Sequence, residues 1–322
     1  MIRITVLALA FFSLSVVVHA QTSQAWPARP LRIVVPFAPG AFTDVSARTL
    51  AIELTGQLGQ PVIVDNRTGA GGTIGTEIAA RATPDGYTLL LSDNSFTISP
   101  GLYAKLPYNP LKDFIHVSQI AESPSLMSGR VKLPAKTLKE LVELARAKPG
   151  ALTFGSGGQG SSAHLAMELF LNVAGVKMLH VPFKGIGPAL AEAIADRIDV
   201  LISSLAAGAP HIQNERTRGY AVSGKERHPI LPGVPTYAEA GYPKYDMSYW
   251  WGIAVPAGTP PAVVARLNQE LARASGKPML RDIYQKQGAV AVTSSPAEHT
   301  RRVNAEIQTW KNVIARAGVK LQ

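Results

Sequence analysis

Short apolar runs rich in β-branched residues alternate with segments of helical period along most of this chain, and proline or glycine marks the changes. After Trp26-Pro27-Ala28-Arg29-Pro30, the run Leu31-Arg32-Ile33-Val34-Val35 reads as a β-strand that Pro36 ends. Thr43 is expected to cap the next helix, whose apolar positions Ala47, Leu50, Ala51, Leu54 and Leu58 recur at helical spacing until Gly59 stops it. Val62-Ile63-Val64 is the next strand. A Gly-rich turn from Gly69 to Gly75 then feeds a helix through Arg81, and Tyr87 to Leu91 makes a third strand. Strands separated by single helices predict a parallel sheet with right-handed crossovers.

The pattern returns further along. Thr137 with Glu140 forms a capping box ahead of Leu138, Leu141, Val142 and Ala145, and Pro149-Gly150 closes that helix. A strand at 151–154, a helix at 161–173, a strand at 178–181, a helix at 188–196 and a strand at 199–203 follow. A proline-rich segment at 229–243 leads to a strand at 249–255 and a helix starting at Pro260-Pro261. The last helix, from Pro296, carries Val303, Ile307, Trp310 and Ile314 on one face. With 322 residues, 46% of them hydrophobic, the chain has material for two domains and no internal sequence repeat. The expected organisation is a first lobe at 26–123, a second at 124–247 and a return to the first at 248–322. Linkers are expected near Glu122–Pro124 and Tyr245–Trp250.

The first twenty residues stand outside this scheme. Arg3 begins a short basic start, Ile4 to Val18 form an apolar run, and Val18-His19-Ala20 offers small residues to a signal peptidase. The run falls short of the roughly 20 residues a spanning helix needs, and polar Gln21 to Gln24 follow. We read a signal peptide cleaved after Ala20, and hence a soluble periplasmic protein. The chain has no cysteine, which removes disulfides, thiolate metal sites and cysteine nucleophiles. Its formal charge of +10 is scattered rather than gathered, and aromatics at 7% are sparse for base stacking. Export and this charge pattern argue against nucleic acid and nucleotide cofactors and leave small anions as partners.

Gly155-Ser156-Gly157-Gly158-Gln159-Gly160 matches the G-x-G-x-x-G spacing of dinucleotide sites. The acidic residue required about 20 positions later is missing from Lys177 to Pro182. What remains is a loop of small residues before a helix, where free N–H groups and the hydroxyls of Ser156, Ser161 and Ser162 suit an anion such as a carboxylate. A second loop, Pro36 to Asp44, has the same design and lies at the end of the first strand. Both would sit at the C-terminal ends of parallel strands, where open α/β sheets bind ligands. Hydrolase and metalloprotease motifs are absent. His164 and Glu168, four apart, could form half a metal site, but a third ligand is not evident and a hydrogen-bonding histidine is the favoured reading. Asp93 and Asn94 are cleft residues or turn formers. Tyr249-Trp250-Trp251 reads as core or hinge packing.

These segments together resemble a known family. Trp26 to Phe37 running into Gly40 and Asp44, Leu106-Pro107-Tyr108-Asn109-Pro110 with Asp113-Phe114, and Gly155-Ser156 to His164-Leu165 are its most specific pieces. Val181-Pro182-Phe183-Lys184-Gly185, Leu231 to Thr236, Trp251-Gly252 and Pro256 to Pro260 complete the series. The chain is similar to the periplasmic solute receptors of tripartite tricarboxylate transporters, the Bug or TctC-like family. The resemblance implies an α/β, two-lobed periplasmic-binding-protein fold of type II, each lobe a mainly parallel sheet flanked by helices, with the ligand cleft between lobes. It further implies a small organic carboxylate clasped by Phe37, Gly40, Ala41, Thr43 and Asp44 from one loop and Ser156, Gly160, Ser161 and His164 from the other. Ser92, Asp93 and Asn94 would face the ligand's distal end. A monomeric receptor without cofactor or metal would pass the solute to membrane permease subunits and perform no chemistry. Two positions depart from the family pattern: Ala41 replaces a second glycine, and Ser203 stands where an aspartate is common. A ligand-presenting sensor subunit and a periplasmic enzyme acting on small acids remain open as other readings.

Overall fold

The computed structural model describes residues 26–40, 42–183 and 185–319. The expected signal peptide and its cleavage point at Ala20 lie outside the described residues, as does Ala41. No described helix is long and apolar enough to cross a membrane.

The first half opens with β1 (Leu31–Val35), α1 (Phe42–Leu58), β2 (Val62–Asn66), a 3₁₀ turn at Ala70–Gly72, α2 (Thr73–Ala80), β3 (Thr88–Asp93) and α3 (Asn94–Leu102). β1 lies between β2 and β3 and pairs parallel with both. β4 (Phe114–Gly129) follows, then α4 (Leu138–Ala147), β5 (Thr153–Ser156), α5 (Ser162–Ala174), β6 (Leu179–Pro182), α6 (Ile186–Ile194), β7 (Val200–Ser204), α7 (Leu205–Gln213) and β8 (Arg218–Val222). Here β5 lies between β6 and β7, again parallel to both. β9 (Ser248–Pro256), α8 (Pro261–Ser275), α9 (Pro278–Lys286), β10 (Val290–Ala291) and α10 (Pro296–Ala317) complete the chain.

The strand order β2-β1-β3-β9-β4-β7-β5-β6 thus holds the same three-strand arrangement twice. The repeat is one of topology, invisible in the sequence. In each half the chain reverses its direction of travel beside the central strand, β1 or β5, which makes a switch point at that strand's C-terminal end. The loops after β1 and β5 are therefore equivalent by position.

The expected linker at Glu122–Pro124 is not a loop. β4 runs unbroken through it, pairing antiparallel with β9 from Phe114↔Pro256 to Pro124↔Ser248, and then with β7 and β8 from Ser125 onward. Its sequence, with four serines and a proline among apolar residues, hides this because the strand is buried on both faces and so lacks the alternation of a half-buried strand. α3 and α7 also escape a propensity reading, for each contains proline and glycine. Packing decides instead: a Cβ on Gly101 would stand 2.6 Å from Ile314 of α10, and one on Gly208 would stand 2.7 Å from Leu126 of β4. The glycines allow each helix to approach its neighbour. α10 lies against α3 and β4 and also meets α5, so it spans both halves.

Candidate ligand-binding site

The loop after β1 is built around the Asp44 carboxylate. Asp44 is buried in the first turn of α1, and its Oδ2 accepts from the Gly40 N–H at 3.1 Å. Asn66, at the end of β2, donates its side-chain amide both to Asp44 Oδ1 and to the Phe37 carbonyl, each at 3.0 Å. Arg48 closes the group with an ion pair of 2.9 Å to Asp44. Burial alone would raise this carboxyl; the donors from Arg48, Asn66 and Gly40 outweigh it and hold the pKa below its ordinary value. Gly40 itself has φ +98° and is exposed, a conformation that a side chain would strain. Thr43 is not the cap expected of it. It lies inside α1, buried, and its hydroxyl accepts from the Trp251 indole N–H of β9 at 2.9 Å. The Phe37 ring is half-buried and faces Gly72, whose own Cβ would stand 3.2 Å from it.

The loop after β5 is built around two histidines. His164 is buried on α5, and its Nδ1 accepts from the Gly160 N–H at 3.0 Å. This is the hydrogen-bonding role favoured over a metal role from the spacing; among the described residues no three ligating side chains come together. Ser161 caps α5 by accepting from the His164 N–H at 3.3 Å. Ser156 is fully buried, 2.6 Å from His180 Nε2, and its oxygen accepts from the Gly158 N–H at 3.1 Å. A serine beside a histidine would suit a nucleophile, but this hydroxyl is enclosed and committed to the loop. The cap, the histidine and the turn bond from Ser161 N–H to Gly158 O consume most of the loop's donors. The N–H groups of Ser162 and Ala163, at the positive end of the α5 dipole, have no partner among the described residues.

The remaining expected residues stand one step back. Ser92 is buried and donates to the Gly252 carbonyl at 3.2 Å, while Asn94 is clamped to β9, giving to Ser248 O and receiving from Trp250 N–H. Both side chains are tied to β9. Asp93 is half-buried and caps α3, accepting from the Ser95 N–H at 2.9 Å; burial pushes its carboxyl up to about 6 against the Ser95 bonds. Ser203 is buried with its hydroxyl on the Ser204 carbonyl, and the half-exposed residue capping α7 is Ser204. Asn66, His180 and Ser204 were not singled out from the sequence. Two of them end parallel strands, a position the switch-point rule does flag; His180 joins the site only through its register opposite Phe154.

Comparison with known proteins fits this geometry. The family described as "Tripartite tricarboxylate transporter family receptor", TctC, matches residues 46–319. BugT of Bordetella pertussis is 37% identical over 303 residues, covering 94% of this chain and 93% of BugT. A solved Rhodopseudomonas palustris protein with adipate superposes with a TM-score of 0.83 at 35% identity, covering 92% of this chain and all of that one. MatC from the same organism, with bound malate, gives a TM-score of 0.80 at 33% identity over 90% of this chain and all of its own. With its twofold-repeated topology, its paired loops and these matches, the chain belongs to the TctC family of periplasmic solute receptors for tripartite tricarboxylate transporters.

Proposed function

We propose that this receptor binds a small organic carboxylate between the loops after β1 and β5 and delivers it to the membrane permease subunits of a tripartite tricarboxylate transporter. The observation that carries the reading is the equivalence of the two loops, each at a switch point and each held by its own internal clamp. The unspent N–H groups of Ser162 and Ala163 would supply a site for one carboxylate group, with the Phe37–Gly40 segment as the opposing surface when the lobes close. The relatives solved with adipate and malate support a ligand of that class. Cleavage after Ala20 would release a monomer whose lobes, 26–123 with 248–322 and 124–247, close about the paired segments of β4 and β9. Ser156 is enclosed rather than presented to the ligand, which supports a ligand that is bound and released unchanged.

The test is a thermal-shift screen of mature protein, unfolded and refolded to strip carried-over ligand, against mono-, di- and tricarboxylates and amino acids. A ligand at a hundred times its Kd adds about 2.7 kcal/mol. A sharp shift with one acid, recovered unaltered, supports receptor function. Conversion of the acid would replace it with catalysis, and a flat panel on refolded protein would count against a small carboxylate.

A further inference from the structure

The loop after β5 carries glycine at 157, 158 and 160, and two of these, Gly158 at φ +125° and Gly160 at φ +76°, lie in the left-handed region. Such a segment is soft, and ordering it on ligand arrival would cost affinity. Two imidazoles remove that softness. The His164 and His180 rings stack with centroids 3.8 Å apart and planes 7° apart, and Phe154 lies against His180 at 4.8 Å on a nearly parallel plane. Each ring governs one of the two glycine N–H groups. His164 accepts directly from Gly160; His180 holds the Ser156 hydroxyl, whose oxygen accepts from Gly158.

We propose that His164 is a positioning residue of the receptor: its Nδ1, accepting from the Gly160 N–H and fixed by the stack on His180, sets the Gly158–Ser161 turn so that the Ser162 and Ala163 N–H groups stay directed at the ligand. The inference rests on the carboxylate-binding reading and deepens it, moving His164 from ligand contact to support. An acceptor at Nδ1 places the ring proton on Nε2, the atom 3.6 Å from Glu168 Oε1, a carboxylate that favours a donor on that side. His180, lowered to about 4 by burial and by His164, is neutral beside it, so the stack carries no paired charges at neutral pH.

The experiment compares three replacements in otherwise native mature protein. His164→Asn keeps an acceptor near the Nδ1 position, His164→Gln moves it to the Nε2 position, and His164→Leu removes it. Two quantities are read: amide hydrogen exchange at Gly160 by NMR, and Kd for succinate, malate, glutarate and adipate. Losing one hydrogen bond and its preorganisation is expected to speed Gly160 exchange and weaken binding about tenfold in the Gln and Leu proteins, with the Asn protein close to native. Equal exchange and affinity in all three would overturn the proposal, as would loss in Asn as large as in Leu. If native protein binds none of the four acids, the ligand class fails, and Gly160 exchange across the three proteins decides the role of His164 separately. Should the Leu protein not fold, His180→Phe keeps a stacking ring and removes one of the two partners of the Ser156 hydroxyl, leaving it the Gly158 carbonyl at 3.0 Å. Gly158 should then exchange faster while Gly160 stays protected; the reverse would count against the division of labour between the rings.

Discussion

Asp44 and His164 solve the same problem with different chemistry. Each stands in the first turn of the helix after a central strand, and each turns its acceptor back onto the N–H of the glycine four residues earlier, Gly40 or Gly160. The carboxylate also carries Arg48 and Asn66, so its charge is neutralised inside the lobe and does not oppose an incoming anion. Replacing Asp44 by alanine removes one of the two acceptors of the half-buried Asn66 amide and releases Gly40. We expect a loss of about 1–3 kcal/mol of stability, read from urea unfolding, together with weaker binding of whichever acid the native protein takes. An unfolding midpoint equal to the native one would show that the clamp contributes nothing.

The helices and strands differ in how far local sequence determines them. α10 is the plainest: Ser295 and Glu298 form a complete capping box, Pro296 stands at its first position, and Gly318 ends it at φ +66°. Ser295→Ala should cost about 1 kcal/mol, and because α10 touches both halves the loss should appear as a lower cooperative Tm rather than local fraying; an unchanged Tm would contradict this. α1, α5 and the six parallel strands were likewise legible, since periodicity and punctuation agree there. α3, α7 and the middle of β4 were not. Their residues are chosen for contact with α10, Leu126 and β9, and a one-dimensional pattern carries no record of a neighbour so far away in the chain. The site divides in the same way. Loop residues that follow a strand could be read as candidates, as could Asn66 at a strand end, whereas His180 became visible only through sheet register. Ser92, Asn94 and Ser203, expected as ligand contacts, are buried, each with its side chain bonded to a backbone carbonyl.

The protein as a whole carries buried histidines that link its stability to pH. His116 and His299 are enclosed between β4 and α10, T-shaped to each other at 5.7 Å, and both nitrogens of His299 lack a hydrogen-bond partner among the described residues. Burial lowers His116 to about 4; burial, His116 and Arg302 lower His299 to about 3. In the unfolded chain a histidine titrates near 6.5. Above that pH both states are neutral and the pair has no pH effect. Below it the unfolded chain takes up protons that the folded core refuses, so stability falls as pH drops from about 6.5 towards 4, by roughly 1.4 kcal/mol per pH unit for each proton. Asp93 works in the opposite direction: folded, its carboxyl titrates at about 6, so between that value and about 4 the native state holds a proton the unfolded chain has released. With two enclosed histidines against one carboxyl, the balance favours destabilisation in acid. Urea midpoints measured at pH 7.5 and pH 5 should therefore decline, and His299→Leu, which removes a proton site from the unfolded chain, should flatten the decline whatever it does to absolute stability. A slope that persists undiminished in that variant would place the acid sensitivity elsewhere, with the half-buried His180 beside the β5–α5 loop as the next group to replace.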